Sequence, residues 1–293
     1  MTSVYELPTD SLDVASPVFA DAWFDRAHID AVFEGRQPGR VFVDDPSQPS
    51  AAIMCRTFGF YVAGDVENIA MRRFIRDAPP EPGVFQSLYG YVPVNDAWKQ
   101  ALLADHGELL EVIPRHGFKW YPTAEACAVV EGWRERLPDG ARMVEIDLDL
   151  ARRIDQEMQQ FIKIYWLSHE AYAEGGFGYC LMFGDTIASV AYAISISSSE
   201  ANIDVETAAP FRRQGLSMLC SSAYIEHCRT LGVVPTWDAD GNNPASQSLA
   251  RKLGFQEGPL SAQLSPPRGT SLLGPEGVWV RDGEMTWTRP QHD

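Results

Sequence analysis

The chain has 293 residues, of which 45% are hydrophobic and 22% charged, with a formal net charge of −16 and a pI near 4.7. That length predicts two domains, the composition excludes a disordered chain, and the acidity argues against nucleic acid or an anionic membrane as partner while favouring a cationic ligand. No apolar run reaches the roughly 18 residues a membrane helix needs, and "MTSVYELPTDSLD" has neither the basic start nor the apolar core of a signal peptide, so a soluble, cytoplasmic protein is expected. Cys55, Cys127, Cys180, Cys220 and Cys228 sit in apolar stretches with no CxxC pair. That points to buried free thiols rather than a disulfide framework.

In chain order, "DAWFDRAHIDAVFEG" has helical spacing through Trp23, Ala27 and Val32 and stops at Gly35. "RVFVDD" and "AAIMCRTFGFYVAGD" read as strands on either side of the turn-rich "PSQPS". "VENIAMRRFIRDA" is helical again, "DAWKQALLADHG" is a helix closed by Gly107, and "ACAVVEGWRERL" is a third, closed by Pro138-Asp139-Gly140. That turn signal sets the expected boundary between an N-terminal α/β domain over 1–139 and a second domain over 140–293. The second domain opens with helical "DLDLARRIDQEMQQFIKIYW" and a loop, "SHEAYAEGG". Strands "FGYCLMF", "TIASVAYAISIS" and "ANIDVETA" follow with short links, as in an antiparallel meander. Then come a helix from about Arg213 to Leu231, strand "VVPTWDA" and helix "PASQSLARKLGF". "LSPPRGTSLLGPEG" reads as a Pro/Gly-rich loop, and "GVWVRDGEMTW" as a hairpin turning at Asp282-Gly283.

The chemistry concentrates in "DVETAAPFRRQGLS", where a strand feeds a tight turn that opens a helix. The first N–H groups of a helix lack internal partners, and its dipole favours negative charge there. Gly215 lets a bulky anion approach the backbone, and Arg212 and Arg213 add positive charge, so the turn suits a phosphate. The alternative is a surface strand–helix turn with incidental arginines. Downstream, "DADGNN" from Asp238 starts like a calcium-binding loop, but Asn243 stands at its glycine position and Leu249 where a bidentate Glu is needed. No zinc-spaced Cys/His set or Walker loop occurs, and no metal is expected.

The pattern Arg212-x-x-Gly215-x-Ser217 resembles the pyrophosphate loop, Q/R-x-x-G-x-G/A, of the GNAT acyltransferase superfamily. "NPASQSLARKLGF" resembles its second signature through Asn243, Ser246, Lys252, Gly254 and Phe255. The stretch from Gly175 to Phe255 is similar to the two-domain bacterial GNAT acetyltransferase family, and "RHGFKWYP" to its N-terminal half. The resemblance implies a GNAT fold, with a central, mixed but mostly antiparallel sheet flanked by helices, plus an N-terminal α/β domain. That domain reads as a degenerate copy of the fold or as an unrelated lid over the acceptor pocket. It also implies acetyl-CoA as cosubstrate, with its pyrophosphate on the amides of Arg213, Gln214, Gly215, Leu216 and Ser217 beside Arg212. Its pantetheine arm would lie along Val205 and Thr207, in a gap between strands "ANIDVETA" and "VVPTWDA", with Asn243 near the thiol.

Acetyl transfer to an amine needs an acceptor for the amine proton and donors for the developing oxyanion. Strand alternation puts Asp204 and Glu206 on one face, opposite Val205 and Thr207. Glu206, then Asp204, is the expected base or cation anchor; the alternative is a pair of solvated strand carboxylates. A strand N–H near Thr207 or Ala208 would serve the oxyanion. The resemblance implies a tyrosine as general acid four residues before Gly254, but Ala250 stands there, which leaves Ser246, another tyrosine or water. His169, Glu170 and Asp238 are weaker candidates for the acceptor pocket, His169 also reading as a helix-end or surface histidine. His116 has no evident partner, and His227 reads as a core histidine. The expected reaction is direct acetyl transfer to a small cationic amine of the aminoglycoside or polyamine type. A non-catalytic acyl-CoA sensor and a protein N-acetyltransferase are the alternatives. The last hairpin, with Trp279 and Trp287, pairs either within the chain or across a homodimer.

Overall fold

The computed structural model describes residues 4–56, 59–77 and 90–265, together with two short strands, Val280–Arg281 and Trp287–Thr288. Two compact units emerge, Met1–Arg115 with Ser261–Asp293, and His116–Leu260. With strands and helices numbered in chain order, the chain leaves the first unit within β6 (Glu111–Lys119) and returns within β12 (Gln256–Ser265). Pro138-Asp139-Gly140, expected as the domain boundary, instead lies inside the second unit, where Ala141 N–H bonds Pro138 O at 3.0 Å to start β7. A proline–glycine signal marks a chain reversal, whereas a crossing in mid-strand leaves no turn residues to read.

In the first unit, β1 (Tyr5–Glu6), β2 (Arg40–Val43), β3 (Ala51–Arg56) and β4 (Gly59–Gly64) form an antiparallel run. Next, α2 (Ile69–Asp77) leads to β5 (Tyr91–Pro93), parallel to β4, and α3 (Asp96–His106) follows. The second half of β12 closes the sheet, with Leu264 opposite Tyr91. "AAIMCRTFGFYVAGD" is therefore a hairpin of two strands rather than one. It reads as one apolar run because both faces of its strands are covered: Ala52, Met54, Tyr61 and Ala63 belong to one core cluster, and Ala51, Ile53, Cys55, Phe60 and Val62 to another. The first expected helix shortens to α1 (Arg26–Phe33), because Asp25 takes a left-handed conformation at its start.

The second unit repeats that order. β7 (Ala141–Glu145), β8 (Gly178–Phe183), β9 (Thr186–Ile196) and β10 (Glu200–Thr207) are antiparallel neighbours. Then α8 (Leu216–Leu231) leads to β11 (Val234–Asp240), parallel to β10, and α9 (Pro244–Lys252) follows. The three-strand meander is β8–β9–β10 as expected, and β7 adds a further strand beside β8 across a helical connection; "ARMVE" is too short and polar to read as a strand. "ACAVVEGWRERL" stops as helix α4 (Ala124–Val130), because Gly132 is left-handed with φ 69°. The long expected helix is α5 (Leu148–Met158) and α6 (Ile162–Trp166), broken at left-handed Gln159. Asp155 stabilises the break by accepting the N–H groups of Ile162 and Lys163. The expected loop "SHEAYAEGG" contains α7 (His169–Gly175), capped by the Ser168 hydroxyl on Ala171 N–H at 3.0 Å.

Gly254 of the second signature has a packing reason. Its φ is +86°, and an added Cβ would lie 2.7 Å from Ala126 Cβ and 2.9 Å from Ala126 Cα on α4. Gly254→Ala is expected to destabilise the chain by about 2–4 kcal/mol, combining left-handed strain with overpacking. A urea midpoint equal to that of the parent chain would contradict this account. The closing strands pair antiparallel, Val280 with Thr288 and Arg281 with Trp287. The expected turn at Asp282-Gly283, the Pro/Gly-rich loop from residue 266 onward, and Trp279 lie outside the described residues.

Candidate active site

β10 and β11 separate part-way along their length. They pair at Glu200 with Val234, Ala201 with Pro235 and Asn202 with Thr236, and no registered pair follows, although β10 continues to Thr207 and β11 to Asp240. At the same place the β9–β10 register shifts, between Asn202 and Ile203. Such a bulge bends and twists the strand. Because Ala208 N–H bonds Ala188 O on the β9 side at 2.9 Å, alternation turns the backbone groups of Val205 and Thr207 toward the gap.

Side chains cap that open strand edge. Asp204 Oδ1 accepts Val205 N–H at 2.8 Å, and Glu206 Oε1 accepts Thr207 N–H at 2.9 Å. Arg212 donates from Nε to Thr207 O at 3.0 Å and from its guanidinium to Glu206 Oε1 at 3.2 Å. Glu206, the first expectation for a base, is therefore engaged by a cation. Ala208 N–H, one expected oxyanion donor, is committed to the sheet.

Asp204 has the more distinctive surroundings. Burial pushes its carboxyl above the usual carboxylate range, against the opposing hydrogen bonds from Tyr192 and Val205. The Tyr192 hydroxyl lies 3.0 Å from Asp204 Oδ2 and 3.2 Å from Gln160 Oε1, with one proton to give. Neither Tyr192 nor Gln160 stands out in the sequence. A tyrosine within "SVAYAIS" reads as core, and its meeting with Asp204 depends on β9–β10 register. Alternation and the Asn202–Thr236 rung put Glu200, Asn202, Asp204 and Glu206 on the same face as Thr236, Asp238 and Asp240.

The turn beyond β10 opens toward solvent. Phe211 stacks on Phe183 with ring centroids 5.5 Å apart and anchors it to the sheet. Arg213 and Gly215 are left-handed, with φ of 67° and 79°. No protein acceptor among the described residues takes the N–H groups of Arg213, Gln214, Gly215, Leu216 or Ser217, and nothing lies within 4 Å of where a Gly215 Cβ would stand. Consecutive unpaired amides in alternating turn conformations form an anion-binding concavity. Leu216 itself is buried and offers the concavity its N–H alone.

Other expected residues have local tasks. Asn243 caps α9 by accepting Ser246 N–H at 3.1 Å, and the Ser246 hydroxyl accepts the Trp237 indole N–H at 2.9 Å, keeping its own proton to donate. Ala250 is fully buried. His169 Nε2 lies 2.8 Å from Asp155 Oδ2, whose carboxyl burial raises above its ordinary value. Glu170 pairs with Arg152 at 2.6 Å. Both thus support the α5–α7 segment. His116, expected to be alone, pairs with Glu257 at 2.5 Å. His227 stacks on Phe177 with centroids 4.2 Å apart, and its Nδ1 lies 2.8 Å from the Tyr179 hydroxyl.

The corresponding features of the first unit differ. β4 and β5 pair from Phe60–Tyr91 to Val62–Pro93, and Val94 N–H bonds Val62 O at 2.9 Å, so no gap opens. Its strand–helix turn carries Asp65 and Glu67. Two of the turn's N–H groups are capped by its own side chains: Glu67 N–H bonds Asp65 Oδ1 and Met71 N–H bonds Asn68 Oδ1, both at 3.0 Å.

A family model described as GNAT acetyltransferase matches residues 17–259. The chain is 27% identical over 220 residues to an uncharacterized N-acetyltransferase, YdfB, of Bacillus subtilis (strain 168), covering 75% of this chain and 82% of that protein. Among solved structures, a GCN5-related N-acetyltransferase-like protein from Streptococcus suis 89/1591 superposes with a TM-score of 0.67 at 21% identity, covering 88% of this chain and 98% of the other. A tandem GNAT protein from the clavulanic acid biosynthesis pathway gives 0.59 at 11% identity, covering 94% and 100%. Both share the fold.

Proposed function

The chain belongs to the GNAT acetyltransferase family, and on that premise we propose that its second unit transfers an acetyl group from acetyl-CoA to the amine of a small cationic molecule. The observation that carries this reading is the set of unpartnered N–H groups over 213–217 at the mouth of the β10–β11 gap. Among the described residues of the first unit, the strand pair stays closed and the strand–helix turn carries carboxylates in place of the arginines.

Acetyl-CoA supplies a thioester that is open to attack. The amides of Arg213 to Ser217 hold its pyrophosphate, with Arg212 and Arg213 beside them. The backbone groups of Val205 and Thr207 line its arm once the carboxylates of Asp204 and Glu206 let go of their N–H groups. In the net reaction the amine nitrogen forms the new C–N bond, the C–S bond breaks, and CoA leaves as a thiol. Asp204 accepts the amine proton: its raised pKa makes it a stronger base than a solvated carboxylate, and Tyr192 orients it. Ser246 is the proton donor on the thiol side, in place of the tyrosine that Ala250 replaces. Glu206 and Asp238, on the Asp204 face, attract the cation, in keeping with the net charge of −16.

Thiol release from acetyl-CoA across a panel of polyamines, aminoglycosides, neutral amines and acidic amines tests the proposal. Turnover confined to neutral or acidic acceptors removes the cationic substrate, and CoA binding without turnover on any amine favours the acyl-CoA sensor. Glu206→Gln is expected to raise the acceptor KM several-fold with a smaller change in kcat, because it weakens attraction rather than proton transfer. A kcat loss as large as that of Asp204→Asn would reverse the two assignments.

A further inference from the structure

The inner end of the β10–β11 gap is closed by a polar rung. Asn202 and Thr236 are the last registered pair, and Asn202 Nδ2 donates to Thr236 Oγ1 at 3.1 Å across the strands. Asn202 is 2% exposed and Thr236 6%. Below the rung the strands stay paired, and Lys119 on β6 forms an ion pair with Glu200 on β10 where both are largely buried. Above it, the stretch from Asn202 to Thr207 makes a gap about 17 Å deep at the usual rise of a strand. An extended arm anchored at residues 213–217 runs down this gap toward the rung.

Asn202 carries a further mark. Its Oδ1 is buried without a hydrogen-bond partner among the described residues. A buried unpartnered oxygen costs stability, and an apolar pair would close a sheet more cheaply at this position. An alkyl chain extending past the thioester carbon would have to lie against that oxygen beside the Thr236 hydroxyl, gaining little from burial and keeping the oxygen without a donor. An acetyl methyl stops short of them.

We propose that the Asn202–Thr236 rung is the floor of the acyl site and restricts the transferred group to acetyl. The proposal rests on reading the gap as the donor site. Both residues act by size and polarity on the acyl end of the donor, so their signature is a specificity ratio rather than a general loss of rate.

The test compares kcat/KM for acetyl-CoA and propionyl-CoA with one fixed amine acceptor. One methylene at a fitted apolar wall discriminates by about 10–200-fold, and the parent chain is expected to prefer acetyl within that range. Asn202→Ala lowers the floor and should raise the propionyl/acetyl ratio about ten-fold. Asn202→Leu keeps the length of the side chain but removes its polar atoms, and should raise the ratio by a smaller factor than Asn202→Ala. Thr236→Ser removes only a methyl group and should move the ratio in the direction of Asn202→Ala by a smaller factor, which provides a test if Asn202→Ala fails to fold. Unchanged ratios in folded Asn202→Ala and Thr236→Ser overturn the inference, as does an equal rise in Asn202→Leu. Calorimetric titration of the parent chain with CoA separates the two levels: no binding defeats the donor-site reading itself, whereas binding with unchanged ratios defeats only the assignment of the floor.

Discussion

Asp204→Asn is expected to lower kcat by about 10²–10⁴-fold, the usual contribution of a positioned general base, while CoA affinity stays at the parent value. Stability should move the other way. Burial raises the Asp204 pKa in the folded chain, so the protonated form is the one folding favours. That stabilising contribution is complete below the ordinary carboxylate pKa and is lost as pH rises through the raised folded value. Above that raised value the parent chain holds a desolvated anion that the variant lacks, and Asn still offers Oδ1 to Tyr192 or Val205. The melting temperature of Asp204→Asn should equal or exceed that of the parent chain at pH 7, and the difference should shrink in acid. The kcat/KM of the parent chain should fall on the acid side with a midpoint above the normal carboxylate range, and the variant should lose that limb. A variant with parental kcat would remove Asp204 from the chemistry. A variant that melts far earlier would make it a structural residue.

Gly215→Asp is expected to weaken CoA binding by about 100-fold or more, since setting a like charge against an anion costs several kcal/mol. Its cost to folding should be modest. No atom lies within 4 Å of the new Cβ, so the penalty is the left-handed backbone alone, about 1–2 kcal/mol. Gly215→Ala carries a left-handed backbone penalty without the charge. Gly215 is the N-cap of α8, where an aspartate is better tolerated than an alanine, so Gly215→Asp should melt no lower than Gly215→Ala yet bind CoA far more weakly. Equal affinities measured by titration calorimetry would mean that the turn holds no anion.

Much of the site is legible in "DVETAAPFRRQGLS". The alternation of Asp204 and Glu206 with Val205 and Thr207 follows from the two-residue period of a strand. The left-handed Gly215 follows from the need for a glycine where a tight turn enters a helix, and Asn243-Pro244 announces the start of α9. These are local rules, in which each residue's neighbours in the chain are also its neighbours in space. Elsewhere that condition fails. The α5–α6 break depends on Asp155 reaching forward to Ile162 and Lys163. "AAIMCRTFGFYVAGD" reads as one strand because burial on both faces erases the alternation that would reveal two. β7 and β12 are sheet strands by pairing, with sequences too polar or irregular to identify themselves.

The sequence by itself determined the order of elements around the candidate site, the acidic balance, the glycine turn into α8 and the carboxylate pair, because each is set by composition or by spacing of a few residues. Only the tertiary structure decided which carboxylate is distinctive. Asp204 is desolvated and meets Tyr192 across the β9–β10 ladder, whereas Glu206 is taken up by Arg212, and both outcomes depend on strand register. The gap between β10 and β11 is likewise invisible in either strand alone: it exists because backbone pairing stops after Asn202 and Thr236, residues separated by 34 positions in the chain. The first unit repeats the same order of strands and helices, yet its β4 and β5 stay paired. What separates a site from a scaffold here is where hydrogen bonding between two parallel strands ends, a property of the pair and of the sheet that holds them.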